Sequence, residues 1–155
     1  VEISMIEKAI EIAKLAPSAC NRQPFRFFVS QNKDQACKVA KCAGGTSGWA
    51  EDIPCTVVII GDLSLYPRER DRHLIYIDSS LAAMQFMLAL ETLGLSSCPI
   101  NWPDIEHAEK KLAKLINLNI YDRPIMMISV GYADIDNGKI PFSQKKQNYL
   151  ITKKI

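Results

Sequence analysis

The chain has 155 residues, 48% of them apolar and 23% charged, which is enough for one domain with its own core and too few for two ordinary ones. A net charge of +2, with the basic residues scattered except in the tail "QKKQNYLITKKI", offers no electropositive footprint for a nucleic acid. Five widely spaced cysteines with no Cys-x-x-Cys pair, and only His73 and His107 to supplement them, argue against a metal site and for reduced thiols in a cytoplasmic protein.

In chain order, "SMIEKAIEIAKLA" predicts a helix. Met5, Ile6, Ala9, Ile10, Ala13 and Ala16 recur at helical spacing, and Ser4 with Glu7 has the capping-box spacing. Pro17 is expected to stop this helix at Ala16. "FRFFV" predicts a strand, and "NKDQACKVAKCA" a short helix ended by Gly44-Gly45. "CTVVIIG" (Cys55 to Gly61) is apolar throughout, which fits a strand covered on both faces. "LSLYPRERDR" reads as a polar connection, and "HLIYIDSSLAAMQFMLALETLG" as the longest helix, ended by Gly94. It is apolar on nearly every side, so it belongs in the middle of a domain or at a subunit interface. "SSCPINWP" reads as a loop, "DIEHAEKKLAKLI" as an amphipathic surface helix and "RPIMMISVGY" as an apolar strand. Cys98 reads as a small buried hydrophobe and Met84, Met87, Met126 and Met127 as core fillers. No repeat or linker appears. The order gives a small sheet sandwiched by helices around one dominant core helix. No apolar run reaches the length of a membrane span. No signal peptide opens the chain, and Val1 with immediate helical periodicity reads as a fragment or trimmed product.

Three loops, "PSACNRQP", "CPIN" and "PFSQKK", each adjoin a strand or the end of the apolar helix, and such rims are where ligands bind. None holds a nucleophile with its base: Cys20 has no histidine nearby in sequence, and "GGTSG" lacks the Lys-Ser/Thr of a phosphate loop. What remains is a hydrogen-bonding surface. Asn21, Gln23 and Asn101, the Ser18 hydroxyl and the late lysines suit a ligand with a donor- and acceptor-rich ring and a phosphate tail, of which flavin mononucleotide (FMN) is an example. Taken alone, Ser18 and Asn21 equally suit a turn after a proline, and the lysine pair a solvated tail.

Four motifs in order add a resemblance. "APSACNRQPF" carries Ala16, Pro17, Ser18, Asn21, Gln23, Pro24 and Phe25. "WAEDIPCTVVII" carries an Asp-x-Pro element before an apolar strand, with Ile53 at its centre. "DSSLAAMQFMLALETLGLSSC" runs in register from Asp78 to Gly94 and Cys98, and "IMMISVGYA" ends a late strand in Gly-Tyr. In these the chain resembles the nitroreductase family of FMN-dependent oxidoreductases, from the first helix through the tail. Ile53 stands where relatives have alanine.

The resemblance implies an α+β fold: a three-layer sandwich with a small mixed sheet and a long central helix, one domain over residues 1–155, assembled as an intertwined homodimer with two flavins at the interface. It implies that Pro17, Ser18, Ala19, Asn21 and Gln23 touch the flavin, commonly from the opposing chain. Pro99, Ile100 and Asn101 lie against the ring, and Lys145, then Lys146, bind phosphate. The arginines of the family's Arg-Arg-Ser-x-Arg segment would precede Val1, so the resemblance implies a phosphate grip without them in this sequence. The short segment between Gly61 and His73 implies an open site. The implied reaction is ping-pong: NAD(P)H gives hydride to the flavin, then a nitro, quinone or similar conjugated acceptor takes its place, with no side-chain catalyst. Two other readings stand beside it: a remnant that dimerises without turnover, and a flavin enzyme acting on a biosynthetic intermediate.

Overall fold

The computed structural model describes residues 1–136 and 142–153. The elements are α1 (Ile3–Ala13), β1 (Phe25–Ser30), α2 (Lys33–Ala40), β2 (Cys55–Asp62), α3 (Leu74–Thr92), β3 (Ser96–Asn101), α4 (Glu106–Ile116), β4 (Asp122–Gly131) and a single turn, α5 (Asn148–Ile151). The strands form one sheet in the order β1-β2-β4-β3. All three pairings are antiparallel, so the sheet is not the mixed one expected.

Alternation along β2 explains its unbroken apolar run. Val57 and Ile59 face a core shared with Ile6 and Ala9 of α1 and with Ala83, Phe86 and Leu90 of α3. Val58 and Ile60 face a second core with Val39 and Ala40 of α2 and Leu112 of α4. Successive side chains point to opposite faces, so a strand covered on both sides is apolar at nearly every position, and the buried Thr56 hydroxyl donates to Ala36 O at 3.1 Å. The molecule is therefore three layers deep: α1 and α3, the sheet, then α2 and α4.

The central helix turns Ile75, Ala82, Ala83, Phe86, Ala89 and Leu90 inward. Gly94, at φ +76°, ends it, and the Leu95 N–H donates back to Leu90 O at 3.0 Å, the left-handed close that glycine favours. By length and composition, Glu69–Thr92 is apolar enough to cross a membrane, contrary to the sequence reading. In the fold it lies against the sheet, as a core helix does.

Four local expectations change. The Ser4–Glu7 capping box does not form. Glu2 takes the N-cap position without a side-chain bond, which puts Ser4 inside the first turn. The same helix ends at Ala13, a turn before Pro17. Met84 is 51% exposed and Cys98 is exposed, so neither fills the core. "SSCPIN" is a strand, because the ten-residue β4 runs far enough to pair Met126–Gly131 with it. Pro99 is tolerated there because β3 is an edge strand with one free side.

At Gly61 the helix α3 and the sheet come close together. A Cβ at this position would lie 2.9 Å from Ile125 Cδ1 and 3.0 Å from Ile75 Cβ, and the latter is fixed to the α3 backbone. Gly61→Ala should lower the unfolding free energy by about 1–3 kcal/mol, the usual cost of overpacking. Urea denaturation measures it, and an unchanged midpoint would mean that α3 is not seated as described.

Candidate functional site

Between Pro17 and Pro24 the backbone makes a tight 3-10 turn, Ala19–Asn21, and enters the left-handed region at Cys20 (φ 53°), Asn21 (φ 53°) and Gln23 (φ 49°). None of the three is glycine. Asparagine tolerates this region, but cysteine and glutamine enter it at a cost. The loop holds itself together with local bonds. Gln23 N–H donates to Ser18 Oγ at 2.9 Å, and Gln23 Nε2 donates to Asn21 O at 3.3 Å and to Asn21 Oδ1 at 3.2 Å. Asn21 and Gln23 stay exposed. No described bond uses Asn21 Nδ2 or Gln23 Oε1, which leaves one donor and one acceptor facing outward.

What fixes the loop to the body of the protein is Asp78 on α3, 3% exposed. Its Oδ2 accepts the Ala19 N–H at 3.1 Å and also the Tyr66 hydroxyl. Tyr66 is itself buried, and the Arg22 guanidinium sits 5.6 Å from its ring centre while donating to Leu65 O at 2.6 Å. Burial, and then the bond to the Asp78 carboxylate, push the Tyr66 phenol well above its ordinary value. A buried carboxylate is costly unless its oxygens are satisfied, so the loop and the connection after β2 satisfy Asp78 while it restrains them. Sequence reading placed Asp78 in a family register but gave it no role. It missed Tyr66 altogether, taking "LSLYPRERDR" for a polar connection.

The second predicted segment lies elsewhere. Pro99, Ile100 and Asn101 form the last half of edge strand β3 rather than a loop. Ile100 is 4% exposed, within the core under α2 and α4, so only its main chain can meet a ligand. Pro99 and Asn101 are exposed. At the start of the same strand lies a cleft of ≈ 280 Å³ lined by Trp49, Ile53, Pro54, Cys98, Val130 and Tyr132 among others. The loop precedes β1, the opposite edge of the sheet. Three inter-strand spacings separate the two edges, about 14 Å, so one chain does not bring these segments together. Lys145 and Lys146 are exposed, and neither lines the cleft. Lys145 Nζ donates to Ser143 Oγ at 2.9 Å. Pro141, the first residue of the "PFSQKK" loop, lies outside the described residues. Among the described residues no group of three or more His, Cys, Asp and Glu could hold a metal.

Comparison with known proteins agrees with the architecture. The nitroreductase family profile matches residues 1–46 and 33–132; the chain belongs to the nitroreductase family. A relative from Methanothermobacter thermautotrophicus, provisionally named an NADH dehydrogenase/NAD(P)H nitroreductase, is 24% identical over 128 residues, covering 83% of this chain. This chain spans 65% of that relative's length. The crystal structure of a nitroreductase family protein from Streptococcus pneumoniae superposes with a TM-score of 0.82 at 25% identity, over 100% of this chain and 90% of that one. An FMN-dependent nitroreductase from Clostridium difficile shares the fold, with a TM-score of 0.80 at 24% identity over 99% and 87% of the two chains.

The Tyr66 phenol gives the Asp78 anchor a pH signature. A phenol raised in the fold stabilises below the unfolded value of 10.0 and loses that contribution as the pH climbs towards the folded value. The unfolding free energy should therefore fall more steeply above pH 10 in the wild type than in Tyr66→Phe. Equal slopes in denaturation curves taken from neutral to alkaline pH would mean that Tyr66 is not held by Asp78.

Proposed function

We propose that the chain is an FMN-dependent oxidoreductase that takes hydride from NAD(P)H for a nitro, quinone or similar conjugated acceptor, working as a homodimer with flavin in the seam. The observation that carries this reading is the split site. A strained polar loop and a ligand-ready strand sit on opposite edges of one sheet, so a second copy is needed to complete the site. The outer side of α3 supports the second copy. Ile77, Leu81, Met84 and Leu88 are each about half exposed and lie at spacings of four, three and four, on one helical face. Ile12 of α1 adjoins that face, its carbonyl accepting Gln85 Nε2 at 2.5 Å, and Leu15 beyond it is 72% exposed.

The donor set fits a flavin. Asn21 Nδ2 and Gln23 Oε1 offer one donor and one acceptor to the polar edge of a planar ring, and Ser18 and Ala19 hold that presentation. Pro17 ends the approach from α1. Along β3 the exposed side of the strand leaves main-chain groups unpaired, and Asn101 supplies an N–H where Pro99 cannot. Trp49, Pro54 and Tyr132 give the open cleft apolar walls. We assign Lys145, and then Lys146, to the phosphate. When bound, FMN supplies the two-electron carrier chemistry, which is why the site needs no acid, base or nucleophile of its own. The five thiols, all free, fit a reducing, cytoplasmic setting.

Purified protein titrated with FMN should give a yellow species with one flavin per chain and the mass of a dimer, bleached anaerobically by NADH or NADPH. A chain that stays monomeric and colourless would overturn the proposal. A yellow dimer that neither nucleotide bleaches would instead mark a non-catalytic member. Leu81→Glu with Met84→Glu should weaken dimerisation by more than about 100-fold, close to 3 kcal/mol, and release the flavin. Sedimentation and absorbance read both effects.

A further inference from the structure

The stretch Asp62–Tyr66, which ends β2 and begins the connection to α3, grips the Pro17–Pro24 loop from outside. Where the loop enters β1, Asp62 N–H donates to Pro24 O at 2.8 Å. Further along, Leu65 O accepts Arg22 Nη1 at 2.6 Å, and the Arg22 guanidinium sits 5.6 Å from the centre of the Tyr66 ring. The Tyr66 hydroxyl ends on Asp78 Oδ2, the same oxygen that accepts the Ala19 N–H. The stretch is itself a compact turn. Asp62 Oδ1 accepts the Ser64 N–H at 2.9 Å and the Ser64 hydroxyl at 2.6 Å, and Tyr66 N–H donates to Leu63 O at 3.1 Å. Aspartate bonded to the amide two residues on is a turn former in its own right.

The two sets of bonds do different things. Those inside the loop, from Gln23 to Ser18 and Asn21, fix its shape but turn with it as a unit. Those from Asp62–Tyr66 and Asp78 fix the direction in which that shape points. The Ala19 amide is the critical attachment, because the left-handed residues Cys20 and Asn21 follow it directly. A change of backbone direction at Ala19 swings Asn21 Nδ2 and Gln23 Oε1 together. Tyr66 is 6% exposed with its hydroxyl committed to Asp78, so it acts on a ligand only through the loop. Core filling does not account for it either, since among the described residues Tyr66 belongs to none of the apolar clusters. A phenol buried against a carboxylate carries a desolvation cost that an apolar side chain would avoid.

We propose that Tyr66 is a positioning residue for the ring of the bound flavin. Acting through Asp78 and the Ala19 amide, and braced by Arg22, it sets the direction in which Asn21 and Gln23 are presented. The inference rests on the flavin reading above, and it concerns the ring because the loop carries neither lysine assigned to the phosphate.

FMN and riboflavin, which has the ring without the phosphate, are the probes, each titrated into the full chain and followed by flavin fluorescence. Tyr66→Phe keeps the ring beside Arg22 and removes only the bond to Asp78. It should weaken FMN and riboflavin by the same factor, about tenfold, and shift the visible absorption bands of bound FMN. Asp78→Asn, which removes the charge that both bonds use, should give the same pattern. Near-UV circular dichroism checks that each variant is folded. Unchanged affinities and spectra in folded Tyr66→Phe, with FMN still bound, would overturn this inference and leave the flavin reading standing. A loss confined to FMN, or a wild type that binds FMN but not riboflavin, would place the recognition at the phosphate and overturn it as well. A wild-type dimer that takes up neither flavin would overturn both readings.

Discussion

The buried Asp78 carboxylate, bonded to the Ala19 amide and the Tyr66 hydroxyl, joins three stretches of chain that are far apart in sequence. It lies on the core helix, it fixes the loop before β1, and it fixes the connection after β2. The magnitudes show why each needs the others. The two left-handed residues that are not asparagine, Cys20 and Gln23, cost about 1–2 kcal/mol each, and hydrogen bonds to a charged group return about 1.5–3 kcal/mol each. Two such bonds are of the size needed to hold the loop in its strained form. A strained segment that the surroundings over-determine is a mark of function when its side chains face outward, as Asn21 and Gln23 do.

This anchor also explains why α3 carries a polar pair in an otherwise apolar sequence. Asp78 and Ser79 are both buried. The first takes both of its described bonds on Oδ2, and Ser79 Oγ has no described partner. The rest of the inner face is alanine-rich, with Ala82, Ala83 and Ala89 letting the helix lie close to β2, where Gly61 leaves room for Ile75. The outer face keeps large apolar groups that the single chain does not cover. Inner and outer faces of one helix therefore serve different ends, the first a core and the second a surface suited to another copy.

Much of this was legible in the sequence, for physical reasons. An eight-residue strand covered on both faces must be largely apolar, and "CTVVII" is, with the Thr56 hydroxyl as its one polar side chain. A helix buried on one side and apolar on the other has no polar stripe, and "LIYIDSSLAAMQFMLALET" has none. The break at Pro17 was visible because proline, serine and asparagine are turn formers. The edge strand β3 was not visible, since Ser96, Ser97 and Pro99 have weak strand preference and pair only because β4 is long. Nor were the partners of Asp78, which lie 59 and 12 residues away. Local patterns carry no information on contacts of that kind. The Ser4–Glu7 spacing misled because the helix begins two residues too early for Ser4 to cap it.

The central claim is that the loop anchored by Asp78 serves the edge strand of a second molecule and not its own. Cross-linking between chains tests it most directly. With Cys20 and Cys98 replaced by serine, one variant carries Asn21→Cys and another Asn101→Cys, and the two are mixed, allowed to exchange and treated with a short bismaleimide. The account predicts a covalent dimer from the mixture and little from either variant alone. A mixture that stays uncross-linked, or a double variant that links only within one chain, would contradict it.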